Sequence, residues 1–151
     1  MDIATKPEQS PAFIAKIVVR WRDLDPMGHV NNAVYLTYLE EARLQFGQKI
    51  GLSFDPRAVP VMASSENHYR RPIEWPANLH VQLFIQRMGR TSTTLGHRIV
   101  DATNQEKLYC EGHVTTVWFN RVDGKAIEAP SQLRELAENE SHANSVDTSL
   151  P

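Results

Sequence analysis

Apolar and polar positions alternate, cluster and then spread in a definite order along this chain. Phe13 to Arg20 carries the β-branched Ile14, Ile17, Val18 and Val19 and reads as a strand. From Ala33 to Ile50 nothing breaks a helix before Gly47. Tyr35, Leu39, Ala42 and Phe46 fall on one stripe, widened by Val34, Leu36 and Tyr38, so this helix is expected to be more than half buried. Asn31 and Asn32 supply N-cap chemistry, while Gly47 and Gly51 mark its other end. After a Pro-containing loop (Asp55 to Pro60), long strands are expected over Val61–Ile73, Leu79–Met88, Ser92–Ala102 and Lys107–Asn120. In the last of these, Cys110, Val114, Thr116 and Trp118 share a face. The links are short and turn-like, which predicts antiparallel neighbours. Ser131 to Glu138 suits a short final helix capped by Ser131.

The pattern therefore predicts an α+β domain over residues 12–128, with an antiparallel sheet curled around one long central helix. Residues 1–11, and a tail following the short helix within 129–151, are rich in Ser, Asn, Asp, Glu and Pro and are expected to be flexible.

Composition narrows the classes of function. The 151 residues are 41% hydrophobic and 23% charged with a formal net charge of −2, which gives no overall pull toward nucleic acid or an anionic membrane. No stretch is apolar for long enough to span a bilayer, and Met1 to Lys16 lacks a signal peptide's apolar core. Cys110 is the only cysteine, so no intrachain disulfide forms and a cytoplasmic, reducing setting is expected. Its place in an alternating strand makes it a packed thiol rather than a nucleophile. The histidines are scattered without metal-ligand spacing, and neither a metal nor a cofactor is expected.

The chemistry concentrates in Arg22-Asp23-Leu24-Asp25-Pro26-Met27-Gly28-His29-Val30-Asn31-Asn32. This run places carboxylates and a histidine just before the N-terminus of the buried helix. Unpaired N–H groups there, with the helix dipole behind them, favour negative charge and would stabilise a developing oxyanion. A carboxylate a few residues upstream can act at the same point as base or nucleophile. Asp23, Asp25 and the asparagines equally suit an ordinary turn and cap, and the residues alone leave both readings open.

The run from Asp23 to Leu36, followed by Leu39-Glu40-Glu41-Ala42-Arg43 and later by Asn67-His68-Tyr69-Arg70-Arg71-Pro72, resembles the 4-hydroxybenzoyl-CoA thioesterase-like branch of the hotdog superfamily. It is especially similar to bacterial long-chain acyl-CoA thioesterases and more distantly to plant acyl-ACP thioesterases, over about residues 12 to 128. The resemblance implies an acyl-CoA thioesterase with Asp25 as catalytic carboxylate and the Asn32 backbone N–H as oxyanion donor. His29 would position water or shape the loop, together with Asn31. Met27 stands where acyl-ACP thioesterases carry a functional Asn, so a mechanism using that amide is not open to this chain. Arg90 lies near where related thioesterases contact the nucleotide, with Arg87 and Arg98 as weaker candidates. Arg70 and Arg71 are expected to tie their strand to neighbouring loops or to face a partner.

The resemblance further implies a homodimer or homotetramer in which Asp25 of one chain faces a long strand of the other, around Glu66 to Tyr69. Competing readings are a hotdog hydratase or dehydratase using His29 with Glu40, and a non-catalytic acyl-CoA-binding module. A salt-bridged helix residue, perhaps with Arg43, is the plainer reading of Glu40.

Overall fold

The computed structural model describes residues 9–146. They form β1 (Phe13–Val18), a 3-10 turn (Trp21–Asp23), α1 (Asn32–Lys49), β2 (Val59–Tyr69), β3 (Asn78–Met88), β4 (Ser92–Asp101), β5 (Leu108–Asn120), β6 (Lys125–Ala126) and α2 (Ser131–Val146). The pairs are antiparallel and the sheet runs β1-β3-β4-β5-β2, with β6 added to β5. This is the expected α+β hotdog architecture.

Side-chain parity decides what faces the helix. In β1, Ala15 and Ile17 are buried while Ile14, Lys16 and Val18 face out. Leu79, Val81, Leu83 and Ile85 of β3 and Leu95, His97 and Ile99 of β4 continue the buried face. Against them α1 sets Tyr35, Tyr38, Leu39, Ala42 and Phe46. Leu36, expected to widen this stripe, is 46% exposed and lies outside the buried set. The Asn31 side chain caps α1 by accepting from Ala33 N–H at 2.9 Å. At the other end Gly51, at φ +82°, turns the chain. Leu52 N–H then donates to Gly47 O at 2.8 Å and Gly51 N–H to Gln48 O at 3.2 Å, a Schellman closure.

Three sequence expectations are corrected. The strand after α1 was expected beside β3, yet it pairs only with β5 and forms an edge. Its polar middle, Ala63-Ser64-Ser65-Glu66-Asn67, suits an edge, whereas β3 to β5 can be buried. This strand also ends at Tyr69 rather than Ile73. The link from 70 to 77 must cross three strand spacings, roughly 14 Å, and eight extended residues reach about 27 Å. On the way Ile73 is fully buried and its carbonyl accepts from Val30 N–H at 2.8 Å, just ahead of α1.

The last helix is longer than expected, running to Val146 instead of Glu138. Leu133 of this helix joins the core, with Leu136 and Ala137 packed against it. Residues 1–8 and 147–151, parts of the two ends expected to be flexible, lie outside the described residues. Among the described residues no helix is long and apolar enough to cross a membrane.

Candidate active site

The segment between β1 and α1 is held by its own backbone. Asp25-Pro26-Met27-Gly28 is a turn closed by Gly28 N–H donating to Asp25 O at 3.0 Å, with Pro in second place and Gly in fourth. Gly28 sits at φ +80°, where a side chain would be strained. Leu24 and Val30 form an isolated antiparallel bridge, and Asp25 N–H donates to His29 O at 2.8 Å. Asp25 Oδ1 accepts from Met27 N–H at 2.9 Å, so the carboxylate is oriented by its own turn.

Asp25 opens onto a cleft of about 300 Å³, lined with His29, Val30, Asn32, Tyr35, Tyr69 and the link residues Arg70 to Pro72. Asn32 is the first residue of α1. Among the described residues its N–H has no hydrogen-bond acceptor, whereas Ala33 N–H is taken by the cap. A half-buried carboxylate and a free donor at a helix N-terminus thus share one cleft.

Tyrosines build its wall. Tyr35 and Tyr69 meet edge to face with ring centroids 5.0 Å apart. Tyr35 O–H donates to Arg71 O and Tyr69 O–H to Asn32 O, each at 3.3 Å. Burial pushes the Tyr35 phenol up to about 12, and burial also raises that of Tyr69. Both therefore stay protonated at neutral pH and serve as donors, not bases. Asp25 is the one carboxylate among the lining residues.

The other expected residues divide. His29 stands on the rim with Nε2 3.8 Å from Glu74 Oε1. Asn31 is spent on capping. Tyr69 reaches the cleft within its own chain, whereas it was expected to face Asp25 of a partner. Glu66 does not line the cleft; its Oε1 lies 2.6 Å from His68 Nε2. Glu66 and Tyr69 are an odd number of residues apart and so leave opposite faces of β2. Arg90 is not near the cleft of its own chain. It lies in the β3–β4 turn, nine residues along from Ile99, which shares a rung with Tyr69 through Cys110. That separation is roughly 30 Å. Glu40 is exposed and absent from the lining, so His29 and Glu40 are not assembled as a dyad. Among the described residues Glu40 and Arg43 form no ion pair within 4 Å.

Arg71 and Tyr35 are lining residues that the sequence reading did not assign to the site. Alternation from Asn67 through Tyr69 to Arg71 was the available signal. Arg70, expected to tie its strand to a neighbouring loop or to face a partner, pairs instead with Glu111 of β5 at 3.1 Å. Among the described residues no cluster of three or more His, Cys, Asp and Glu could hold a metal ion.

The family model of the thioesterase-like superfamily matches residues 19–136. The uncharacterised protein YsmA of Bacillus subtilis (strain 168) is 27% identical over 125 residues, 82% of this chain and 84% of its own. Two solved structures are more alike in sequence. A protein from Xanthomonas campestris, described as a candidate acyl-CoA thioesterase, is 41% identical with a TM-score of 0.72, covering 80% of this chain and 100% of that one. A Pseudomonas aeruginosa protein, described as a candidate thioesterase, is 35% identical with a TM-score of 0.78, covering 81% of this chain and 95% of that one.

Proposed function

This chain belongs to the thioesterase-like superfamily, and on that premise we propose that it hydrolyses acyl-CoA to a free carboxylic acid and CoA. The observation that carries the reading is the meeting, on one cleft at the head of a buried helix, of Asp25 and the Asn32 N–H, which has no acceptor among the described residues. Seated there, a thioester carbonyl receives the Asn32 N–H on its oxygen, with the dipole of α1 behind it. Asp25 acts on the carbonyl carbon in one of two ways. As general base it takes a proton from water, whose oxygen adds to the carbon; the C–S bond then breaks and the proton passes to the leaving thiolate. As nucleophile it adds to the carbon and expels the CoA thiolate as the C–S bond breaks; water then opens the resulting mixed anhydride, releasing the acid and restoring the Asp25 carboxylate. His29 and Asn31 hold the loop and its water, and Tyr69 supports the Asn32 carbonyl.

A second copy of the chain completes this reading. Strand β2 is an edge of 11 residues, with Val61, Met62 and Tyr69 about half exposed. Pairing two such strands antiparallel along their whole length centres a two-fold axis on Ser64 and sets Tyr69 beside the partner's Val59. Beside Val59 lies an apolar recess of about 350 Å³ walled by Leu44, Leu52, Phe54, Val59 and Trp118. In one chain this recess is roughly 33 Å along β2 from Tyr69; in the pair it abuts the partner's cleft. It would take the acyl group, with room for about a dozen heavy atoms at about 30 Å³ each. The same pairing brings the partner's Arg90 within about three strand spacings, roughly 14 Å, of the cleft, a reach that suits a CoA phosphate. Burial pushes the Cys110 thiol up to about 11, which fits an inert thiol in a reducing cytoplasm.

The test is a thiol-release screen over aliphatic acyl-CoAs of graded length and aromatic acyl-CoAs. Release of CoA with equimolar acid is expected for at least one group. Conversion of an enoyl-CoA without thiol release, or binding without turnover across the panel, would overturn the assignment.

A further inference from the structure

Asp23 is not part of the cleft lining, yet it ties together the loop and the helix start that carry Asp25 and Asn32. Its Oδ2 accepts from Tyr38 O–H at 2.6 Å and from Arg20 N–H at 2.9 Å. Its carbonyl accepts from Asn31 N–H at 3.0 Å, and its own N–H donates to Arg20 O at 2.9 Å. One half-buried residue thus binds Arg20 just beyond β1, the second turn of α1 and the residue that caps α1. Asp25 lies two residues beyond it on one side of the loop. Asn32 follows Asn31 on the other.

We infer that Asp23, latched by Tyr38, is a positioning residue that sets the distance between the Asp25 carboxylate and the Asn32 N–H. The inference rests on the thioesterase reading above. Tyr38 is 6% exposed and its ring is packed in the core, so its hydroxyl is a fixed point on the helix. The bond is short and its acceptor is a carboxylate, the stronger class of hydrogen bond. Burial, and then the Asp23 carboxylate, push the Tyr38 phenol well above its ordinary value, so the hydroxyl stays a donor throughout the working range. Without the latch the short bridge between Leu24 and Val30 still closes the loop, but nothing ties the Asp23 side chain to α1. The loop can then shift along the helix start, and misplacement of about 1 Å costs on the order of a hundredfold in rate.

The experiment uses the full chain and a thioester that the wild type cleaves. Tyr38→Phe should lower kcat about tenfold or more while KM moves less than about threefold, because a shifted loop still binds the acyl group. Asp23→Asn keeps an oxygen for the Tyr38 hydroxyl and should retain most of kcat, whereas Asp23→Ala should lose as much as Tyr38→Phe. The double variant Asp23→Ala/Tyr38→Phe should lose little more than either single change, as for two residues acting as one unit. Leu133→Ala, which thins the core far from the loop, serves as a control of similar destabilisation and should keep kcat below its melting range. A Tyr38→Phe enzyme with unchanged kcat overturns the inference, as does a loss matched by Leu133→Ala or a fully additive double variant. A wild type that releases no thiol from any acyl-CoA would instead count against the proposed function.

Discussion

His97 donates from Nε2 to Asn67 Oδ1 at 2.8 Å, in the tautomer that this pairing requires, and the bond spans an entire strand. Both residues share a rung with Gly112 of β5, which lies between them. A Cβ at Gly112 would collide with the Glu66 carbonyl and stand 3.0 Å from His97 Nε2. The glycine is therefore the gap through which the buried centre of the sheet holds its edge strand. Asn67 passes the link on, donating to Ser65 Oγ at 3.1 Å.

This buried imidazole makes stability depend on pH. Burial, followed by the charges of Arg43 and His113, lowers its pKa from 6.5 to about 3. Between those values the unfolded chain binds a proton at His97 that the native protein does not. Stability accordingly falls as pH drops from 6.5 toward 3, by up to about 1.4 kcal/mol per pH unit from this group. Denaturation at pH 7, 6, 5 and 4 should show a shallower slope for His97→Gln, whose amide can still donate to Asn67. Equal slopes in both proteins would assign the acid sensitivity to other groups.

Asp25→Asn keeps the shape of the turn, including an oxygen for Met27 N–H, and removes the charge. Loss of an essential base or nucleophile should lower kcat by roughly a hundredfold or more. The melting temperature should hardly move. Near-normal turnover would exclude Asp25 from the chemistry.

Backbone and side chain can be separated at Asn32. Proline is tolerated at the first position of a helix, where its missing N–H has no helical partner. Asn31 already adopts φ −57° and ψ 137°, a conformation that a following proline accepts. Asn32→Pro should thus fold and lose activity, while Asn32→Ala keeps much of it. Comparable losses in the two variants would argue against an oxyanion donor from the main chain.

Whether the acyl recess belongs to the other subunit is testable by mixing variants. Leu44→Trp fills the recess and should cut the ratio of kcat/KM for long over short acyl-CoA by about tenfold or more. A heterodimer of Leu44→Trp with Asp25→Asn retains one site with Asp25 from one chain and an open recess from the other. Long-chain activity should therefore reappear on mixing two proteins that lack it. No recovery despite subunit exchange, or a fully active monomer on sedimentation at micromolar concentration, would sink the shared site.

Asp25, Gly28, His29 and Asn32 were legible together because one short turn and one capped helix start determine where they sit. Helical spacing likewise found Tyr35, Leu39, Ala42 and Phe46, and alternation found the buried face of β5. These depend on contacts within a few residues, which the sequence states directly. Strand parity was also available, and it separates Glu66 from Tyr69 without any structure. Only the tertiary structure decided that β2 pairs with β5 rather than β3, because a link of eight residues is long enough to reach either neighbour and the choice lies in burial across the whole sheet. That choice carries the link past α1, bringing Arg71 to the cleft and burying Ile73 against Val30, while it leaves Arg90 at the sheet's far end. Such placements join segments dozens of residues apart, and no local preference encodes them; the packing of the complete core does.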